Sequence, residues 1–389
     1  MRIINRTKIY KVVRTSTVPI SLNILLKGQL KFLNQFFEIK AVSSRGNDLE
    51  EIRIREGVEV EVLEMERKIS LFKDLASLIN MYIYLKREKP QIIHSITPKA
   101  GLISMLAGKM AGVPIRMHTF TGLIFPTKKG TMQKILIKMD QLLCWAATNV
   151  YPEGKGVKSD LEKYKITSKP LKVIANGNVS GINLSHYNPD TIDEVLKINL
   201  KKSLKISDSD FVFIFVGRLV GDKGINELVE AYVKIRDQNT KLLLVGPYEN
   251  DDPLKKETLK KIQEYEDIIP TGFQKDVRPY FSISNVLVFP SYREGFPNVV
   301  IQAGAMDLPS IVSDINGCNE IILHGKNGIV IPSKNIEKLA EAMKEVKKNT
   351  KQYTEMKRNA RNIISSRYEQ SIIWNATLYE YNMLLEKIN

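Results

Sequence analysis

Two short loops combine charged side chains with glycines in patterns that suit an anionic ligand. The first lies in FVFIFVGRLVGDKGINELVEAY (211–232), where a loop carrying Arg218 and Lys223 joins an apolar run ending at Gly217 to a helical pattern. A glycine-containing loop at a helix N-terminus offers backbone N–H groups to an anion, and two nearby cations could neutralise a diphosphate. The pattern is neither a Walker A motif nor GxGxxG. An ordinary strand-to-helix turn with two solvated cations therefore fits it equally well.

The second loop places a carboxylate between a strand pattern and a helix. It lies in VFPSYREGFPNVVIQAGAMDLPSIVSD (288–314), and its carboxylate is Glu294. Phe296 and Pro297 open the predicted helix (296–307), since proline suits the first helical turn. Glu294 and the amides that follow could together bind a polyol and a phosphate. Gln302 lies a little over two turns further on, near the same side of the helix. The alternative is that Glu294 only caps the helix and interacts with its dipole.

Strand-like and helical stretches alternate along the whole chain, which predicts an α/β fold with parallel sheets. The strand-like runs are 9–15, 36–43, 58–65, 91–97, 115–122, 147–154 and 171–178, then 211–217, 241–247, 267–273, 286–292, 309–314 and 328–332. The helical patterns are 21–35, 70–89, 99–112, 158–166, 225–238, 252–266, 296–307, 334–349 and 372–389. Residues 179–195 are polar and irregular, as expected of a linker. We therefore predict two doubly wound, Rossmann-like domains, with the ligand bound at the carboxyl ends of the strands.

The predicted first domain spans residues 1–182 and the second residues 183–366. The last amphipathic helix, within 367–389, is too apolar on one face to remain unpacked. We expect it to pack back toward the first domain.

Composition excludes several classes of protein. The chain has 389 residues, of which 43% are hydrophobic and 26% charged, unlike a disordered or fibrous protein. Its apolar runs are too short to span a bilayer, its N-terminus lacks the features of a signal peptide, and two cysteines make neither a disulfide framework nor a zinc site. These features predict a cytoplasmic protein.

The basic charge is confined to the first half of the chain. The net charge is +15, and residues 1–180, with 30 Lys and Arg against 15 Asp and Glu, carry all of the excess. Such asymmetry suggests an anionic partner, although a basic protein could also simply be more soluble. Within this half, FPTKKGTMQKILIKMDQLLCWAA (125–147) is a basic amphipathic stretch. That pattern suits an anionic membrane surface, while core packing explains part of its apolar face.

The order and spacing of these motifs resemble a known enzyme family. GRLVGDKGINEL (217–228), LLLVGP (242–247), TGF (271–273), the segment 289–322 and GKNGIVIP (325–332) resemble the second domain of family 4 retaining glycosyltransferases, which have the GT-B fold. The first-half segment 94–123 is similar to the bacterial subgroup that extends polyprenyl-diphosphate-linked saccharides, including N-acetylgalactosaminyltransferases and other capsule or O-antigen enzymes. The resemblance covers nearly the whole chain. It implies two domains that face each other across a cleft, the first binding the acceptor and the second the nucleotide sugar.

The resemblance also assigns roles to individual residues. Arg218 and Lys223 would hold the donor diphosphate, and Glu294 would bind donor-sugar hydroxyls. His118 would face the donor sugar from the first domain. Positions implied to line the donor site are Gly217, Phe273 beside the base, Phe296, Asn298, Val299 and Gln302.

This sequence departs from the family pattern at two places. Gln302 stands where the family has a second glutamate, which normally binds the ribose hydroxyls; the neutral amide should weaken nucleotide affinity by about 1 kcal/mol. The loop after the first strand, where relatives often carry a Gly-Gly pair, instead offers Thr15, Ser16 and Thr17. For these three residues we predict acceptor-side contacts at most.

The implied reaction is transfer of a hexose or N-acetylhexosamine from a UDP-sugar to a lipid-linked saccharide, with retention at the anomeric carbon. The implied reaction needs no cofactor and no metal. Asp208-Ser209-Asp210 has the form of a DxD metal-binding motif, but it lies in a polar turn before a strand and is interpreted as a solvated turn. The expected partners are the nucleotide sugar, the polyprenyl-diphosphate-linked glycan and the inner membrane surface, where the enzyme would be peripheral. Alternatives are a GT-B epimerase or phosphorylase, although no cofactor-lysine motif is evident, and a pseudo-glycosyltransferase that binds donor poorly. A nucleic-acid binder would require a groove-reading motif, which is absent.

Overall fold

The computed structural model describes residues 10–66 and 70–388. The chain divides into two compact units, the first made of residues 1–181 and 370–389 and the second of residues 182–369. Each unit contains one six-stranded sheet in which the paired strands are parallel. The predicted α/β architecture of two doubly wound domains is confirmed.

The sheet of the first unit has the strand order β3-β2-β1-β4-β5-β6. Its strands are β1 (Lys11–Thr15), β2 (Glu38–Ser43), β3 (Glu59–Val62), β4 (Ile92–Ser95), β5 (Ile115–Phe120) and β6 (Asn149–Pro152). Its helices are α1 (Pro19–Leu25), α2 (Gln29–Asn34), α3 (Asn47–Glu56), α4 (Leu71–Glu88), α5 (Pro98–Ala111), α6 (Gly130–Ala146) and α7 (Lys155–Lys163). The strand order reverses between β1 and β4, and such a switch point opens a crevice at the carboxyl ends of the strands.

Apolar side chains cover both faces of this sheet. One cluster joins it to α4, α5, α6 and α7, and the other to α1, α2 and α3. Strands buried on both faces need apolar residues at successive positions, which explains the adjacent pairs Val12-Val13 on β1 and Ile92-Ile93 on β4. Among the described residues, none of the helices combines the length and apolar composition needed to cross a bilayer.

The sheet of the second unit has the order β12-β11-β10-β7-β8-β9. Its strands are β7 (Phe211–Val216), β8 (Thr240–Val245), β9 (Ile268–Gly272), β10 (Val286–Phe289), β11 (Ser310–Ser313) and β12 (Gly328–Ile331). Its helices are α8 (Glu194–Ser203), α9 (Ile225–Ile235), α10 (Lys256–Glu264), α11 (Arg278–Ser282), α12 (Asn298–Ala305), α13 (Cys318–Ile321), α14 (Ile336–Lys348) and α15 (Thr350–Tyr368). Here the order reverses between β7 and β10.

The last helix, α16 (Gln370–Glu386), belongs to the first unit, as predicted. Its Trp374 ring lies 5.6 Å from the ring of Phe32 on α2, and Tyr381 meets Phe37 edge to face at 5.7 Å. Gly28 leaves room for the indole, because a Cβ at that position would lie 2.6 Å from Trp374. These aromatic contacts bury the apolar face that the sequence pattern identified.

Two secondary-structure predictions are corrected. Residues 171–178 form no strand beyond a single bridge at Leu171, because Ala175, Gly177 and Asn178 have positive φ angles that interrupt extended backbone. The helix predicted over 21–35 is two helices, separated at Gly28 (φ 79°). Helices α3, α8, α11, α13 and α15 were not predicted. The beginning of the predicted strand 9–15 and the end of the helix 372–389 lie outside the described residues.

An ion-pair cluster ties the end of α4 to the sheet and predicts a dependence of stability on pH. Lys40 and Lys11 donate to Glu88 at 2.7 and 2.9 Å, and these hydrogen bonds, that from Lys40 above all, lower the pKa of Glu88 to about 2. Since the folded-state pKa lies below the unfolded value, Glu88 stabilises the protein above about pH 4.5 and loses that effect as the pH falls toward 2. We expect Glu88→Gln to lower the urea midpoint at neutral pH, with a smaller difference from wild type at pH values near 3.

Glu64→Gln is the matched control, because the Glu64 side chain is exposed and pairs with the exposed Arg45 at 3.7 Å. Such pairs contribute little to stability. A Glu88→Gln deficit that stays constant from neutral to acid pH would contradict the assignment.

Candidate active site

The charged loops singled out from the sequence lie at the switch point of the second unit. Arg218 and Lys223 follow β7, and Glu294 follows β10, the two strands between which the order reverses. Loops at this position converge at the carboxyl ends of neighbouring strands and form the usual ligand crevice of open α/β sheets. The topology thus brings together residues that are more than 70 positions apart in the chain.

Lys223 and Glu294 form a direct ion pair. The Lys223 Nζ and the Glu294 Oε1 are 2.5 Å apart, and the two side chains are only 16% and 15% exposed. The ammonium group also lies 5.6 Å from the centroid of the Phe289 ring. A partly buried cation next to a carboxylate can present positive charge to a phosphate and an acceptor oxygen to a hydroxyl from one place.

Backbone contacts hold these two loops against each other. Gly224 has φ 73°, and a Cβ there would come within 2.2 Å of the carbonyl oxygen of Pro290. The Tyr292 N–H donates to the Asp222 carbonyl at 2.9 Å, and Arg293 pairs with the Asp222 carboxylate at 3.0 Å. The close approach requires glycine, and it fixes the distance between Lys223 and Glu294.

The loop after β8 supports the same site from the other side. Arg218 donates to Glu249 at 2.7 Å, and both side chains are partly exposed. Gly217 and Gly246 make a second close approach, in which a Cβ on Gly246 would lie 1.8 Å from the Gly217 carbonyl oxygen. Arg218 is therefore held near the crevice with its guanidinium accessible to a ligand.

Helix α12 begins at Asn298, two residues later than predicted. Pro297 is its N-cap with φ −74° and ψ 108°, an extended conformation, and the buried ring of Phe296 packs edge to face on Tyr368 at 5.5 Å. First-turn amides of a helix have no carbonyl acceptor within the helix. Val299 and Gln302 are three residues apart on one side of α12, and both are partly exposed.

Family models match both halves of the chain. The model described as "Glycosyl transferases group 1" matches residues 197–363, and "Glycosyl transferase 4-like" matches residues 23–152. The capsular polysaccharide biosynthesis glycosyltransferase CapM of Staphylococcus aureus is 28% identical over 93% of this chain and 94% of its own length. An Escherichia coli enzyme named UDP-Gal:alpha-D-GlcNAc-diphosphoundecaprenol alpha-1,3-galactosyltransferase is 30% identical over 77% of this chain and 76% of its own.

The chain belongs to the group 1 glycosyltransferases. Anabaena HepE, whose structure was solved in complex with UDP, superposes with a TM-score of 0.81 over 97% of this chain and 100% of that one, at 17% identity. The predicted GT-B fold is confirmed by this agreement. The chain is a hexosyltransferase, and one of its relatives is named for capsular polysaccharide biosynthesis.

One residue implied to be catalytic lies inside the glycosyltransferase's first unit. His118 on β5 has no exposed surface; Ser95 is 2.8 Å from its Nδ1, and a Cβ on Gly101 would clash with its ring. Burial lowers the pKa of His118 to about 3, so the ring is neutral. Helix α5 packs over this part of β5, and the imidazole fills the space that Gly101 leaves. The role of His118 toward the donor sugar stays a prediction.

The hydroxyl groups after β1 are also engaged within the first unit. Thr15 contacts Ser104 at 2.9 Å, Ser16 donates to the Val18 carbonyl at 2.7 Å, and Thr17 accepts from the Ala100 N–H at 3.1 Å. All three side chains are buried. The hydroxyls of Thr15 and Thr17 link the end of β1 to α5, whereas that of Ser16 stays within its own loop. The acceptor-side contacts of the three residues stay a prediction.

Phe273 stands in the loop after β9, and 74% of its surface is exposed. An exposed aromatic ring at this edge of the sheet is available for stacking, and its role beside the base stays a prediction. Cys318 lies near the Lys223 and Glu294 pair, but burial raises the pKa of its thiol well above the usual range. Cys318 is therefore a packed thiol at neutral pH and a poor nucleophile.

Sequence reasoning missed the residues that position the site. Asp222, Glu249 and Arg293 make the side-chain contacts between loops. Asp222 and Arg293 lie inside the two motifs quoted from the sequence, so both could have been singled out as members of the charged loops. Their pairing could not be predicted, because it depends on how β7 and β10 are ordered in the sheet.

Proposed function

We propose that this enzyme is a retaining glycosyltransferase that moves a hexose or N-acetylhexosamine from a UDP-sugar to a polyprenyl-diphosphate-linked saccharide. The observation that carries the proposal is the Lys223–Glu294 pair, 2.5 Å apart at the switch point of the second unit. The E. coli relative, whose name specifies a UDP-sugar donor and a diphosphoundecaprenol acceptor, supports this choice of substrates.

In the proposed reaction, the bond between the anomeric carbon and the donor phosphate oxygen breaks, and its electron pair leaves with the diphosphate. An acceptor hydroxyl attacks from the same face, and its proton passes to the departing phosphate oxygen. Arg218 and Lys223 stabilise the negative charge of the leaving diphosphate. Glu294 accepts hydrogen bonds from donor-sugar hydroxyls and orients the anomeric carbon. The two cations supply the electrostatic stabilisation, so we propose that turnover requires no metal and no cofactor.

The donor site is tested first by nucleotide binding. We expect UDP, but neither GDP nor ADP, to raise the melting temperature of the full chain without added metal. A nucleotide at a hundredfold excess over its Kd stabilises the folded state by about 2.7 kcal/mol. Arg218→Ala should abolish the UDP shift, because it removes a cation from the diphosphate.

Gln302→Glu is expected to raise the affinity for UDP, whereas Arg218→Ala is expected to lower it. A carboxylate at this position would accept charge-assisted hydrogen bonds from two ribose hydroxyls, so UDP affinity should rise by about fivefold, equivalent to about 1 kcal/mol. If no nucleotide shifts the melting temperature of either wild type or Gln302→Glu, the proposed donor site is wrong.

We further propose that the first unit docks on an anionic membrane, where it meets the lipid-linked acceptor. The exposed side of α6 carries Lys134 and Lys138 beside Ile135, Met139 and Leu142, and these side chains line one shallow groove. Such a mixture of cations and apolar side chains suits the interface of an anionic bilayer.

Helix α4 extends this surface and was not singled out from the sequence. Its buried side carries Met81, Tyr84 and Leu85. Its other side exposes a stripe of large apolar residues: Leu71 at 82%, Phe72 at 90%, Leu75 at 56%, Ile79 at 49% and Ile83 at 57%. Helices α4, α5 and α6 pack side by side on one face of the sheet, so the stripe and the α6 lysines belong to one helical layer. An exposed apolar stripe of this length marks an interaction surface.

We expect the wild type to sediment with vesicles of phosphatidylcholine and phosphatidylglycerol at low salt, and less so at high salt. Replacing Lys134 and Lys138 together by Gln should weaken binding by about thirtyfold, since each cation near an anionic surface contributes about 1 kcal/mol. Phe72→Ser with Ile79→Ser should weaken it through lost apolar insertion.

Ile198→Ser is the matched control, because Ile198 is exposed to 63% on α8 of the second unit. Equal sedimentation with vesicles of pure phosphatidylcholine, or none with either vesicle, would exclude the membrane partner.

A further inference from the structure

The two cations assigned to the donor diphosphate are already paired with carboxylates of the chain. Arg218 Nη1 lies 2.7 Å from Glu249 Oε2, and Lys223 Nζ lies 2.5 Å from Glu294 Oε1. The second pair is mostly buried, whereas the side chains of Arg218 and Glu249 are 48% and 37% exposed. An exposed ion pair contributes little to stability and is weakened by salt. The pair between Arg218 and Glu249 is therefore the one that an incoming anion can open.

The loop after β8 places Glu249 opposite the loop after β7. Before Glu249, the Pro247 carbonyl accepts from the Leu219 N–H at 2.8 Å. After it, the Asp252 carboxylate accepts from the Asp222 N–H at 2.6 Å. Glu249 lies between these two anchors, so the backbone of both loops sets its position and the pairing is a product of the fold.

The backbone of the loop after β7 also holds an anion of the chain. The Asp222 N–H belongs to the glycine-containing turn that the sequence suggested for a ligand, and it donates to the Asp252 carboxylate. A Cβ on Gly221 would lie 2.9 Å from the same carboxylate. A phosphate placed at this turn would meet a like charge at short range. The side chains of Arg218 and Lys223, rather than these amides, are therefore the donors for a phosphate.

The Glu249 carboxylate occupies part of the surface that Arg218 would offer to a phosphate. It accepts from Arg218 Nη1, and a bidentate phosphate contact uses two neighbouring nitrogens of the planar guanidinium. Two anions on one guanidinium would also repel each other. We propose that Glu249 competes with the donor diphosphate for Arg218, which keeps nucleotide binding weak and speeds the release of UDP. This inference rests on the proposed function, since it takes Arg218 as a ligand of the diphosphate.

Glu249→Gln removes the competing charge and preserves the shape of the side chain. We expect calorimetry on the full chain, without added metal, to show UDP binding about fivefold tighter than in the wild type. That factor corresponds to an exposed ion pair of about 1 kcal/mol. Product inhibition by UDP should strengthen by the same factor. If Glu249 instead orients Arg218 for its ligand, Glu249→Gln would weaken UDP binding, and the proposal would be wrong.

Glu266→Gln is the matched control, because it also removes one negative charge from the second unit. The Glu266 side chain is 88% exposed, and it precedes β9 at the amino ends of the strands, the edge of the sheet opposite the crevice. Salt screens an exposed charge at that distance, so the Kd for UDP should stay at the wild-type value.

Inorganic pyrophosphate separates a failure of this proposal from a failure of the proposed function, because it presents the anion without the nucleoside. Tighter pyrophosphate binding by Glu249→Gln, with no UDP binding by any of these chains, would support the competition and overturn the nucleotide donor. UDP binding by the wild type with no gain in Glu249→Gln over Glu266→Gln, for either probe, would overturn the competition alone. Binding of neither probe by any chain would overturn both.

Discussion

Lys223→Met is expected to reduce kcat by about 10²–10³-fold, the usual effect of removing one donor that stabilises developing negative charge. The Lys223 ammonium lies 2.5 Å from Glu294 and is mostly buried, so water cannot readily take its place. Methionine preserves the apolar stem and removes only the charge. The measurement is the rate of UDP release from a UDP-sugar with a lipid-linked acceptor at saturating donor.

Two comparisons separate catalysis from folding. Glu294→Gln should also lower activity, and the double variant should lose less than the sum of the two single losses, because the pair acts as a unit. Lys338→Met is the matched control, since the Lys338 side chain is exposed and pairs with the exposed Glu341 on the same helix, α14. A Lys223→Met enzyme that keeps kcat within about threefold of wild type would exclude the role assigned to Lys223.

Gly224→Ala is expected to destabilise the second unit by about 2–4 kcal/mol and to abolish most activity. Gly224 has φ 73°, which an alanine adopts at a cost of about 1–2 kcal/mol. The added Cβ would also lie 2.2 Å from the Pro290 carbonyl oxygen, so the loop after β10 must move. That movement carries Glu294 away from Lys223.

The matched control is Gly325→Ala. Gly325 has φ 76°, but no atom lies within 4 Å of the position of its Cβ. Gly325→Ala therefore tests only the cost of placing an alanine at a positive φ angle. We expect the free energy of unfolding to fall by only about 1–2 kcal/mol, with activity retained. Equal urea midpoints and equal activities for the two variants would show that the contact between the loops does not position the site.

Much of the architecture was predictable from hydrophobic patterning. Parallel strands buried on both faces must be apolar at successive positions, so runs such as FVFIFV at β7 identify themselves. The strand predicted at 171–178 was wrong for the same reason. Its apolar residues can be read from the sequence, but the positive φ angles that interrupt the extended backbone cannot. The amphipathic pattern of α16 correctly indicated a packed helix, because an unpacked apolar face is costly in water.

The candidate site was predictable in part. Arg218, Lys223 and Glu294 were singled out because they stand beside glycines in loops that follow strand patterns. Only the resemblance to the family favoured a ligand site over an ordinary turn or a helix cap. The burial of His118 was not predictable. Successive side chains of a strand point to opposite faces, so a shift of one position in the pattern reverses the face on which a residue lies. The helix pairing that covers that face lies outside any local pattern.

The sequence alone determined the residue types, the order of the motifs and the period of the hydrophobic pattern. Through them it determined the family, the doubly wound fold and the charged groups of the two loops after β7 and β10. The tertiary structure decided which of these groups meet. Lys223 pairs with Glu294 because β7 and β10 are neighbours in the sheet, and Arg14 meets Tyr381 because α16 returns to the first unit. Both contacts depend on long-range strand order and helix packing, which arise from burial summed over a whole unit rather than from neighbouring residues.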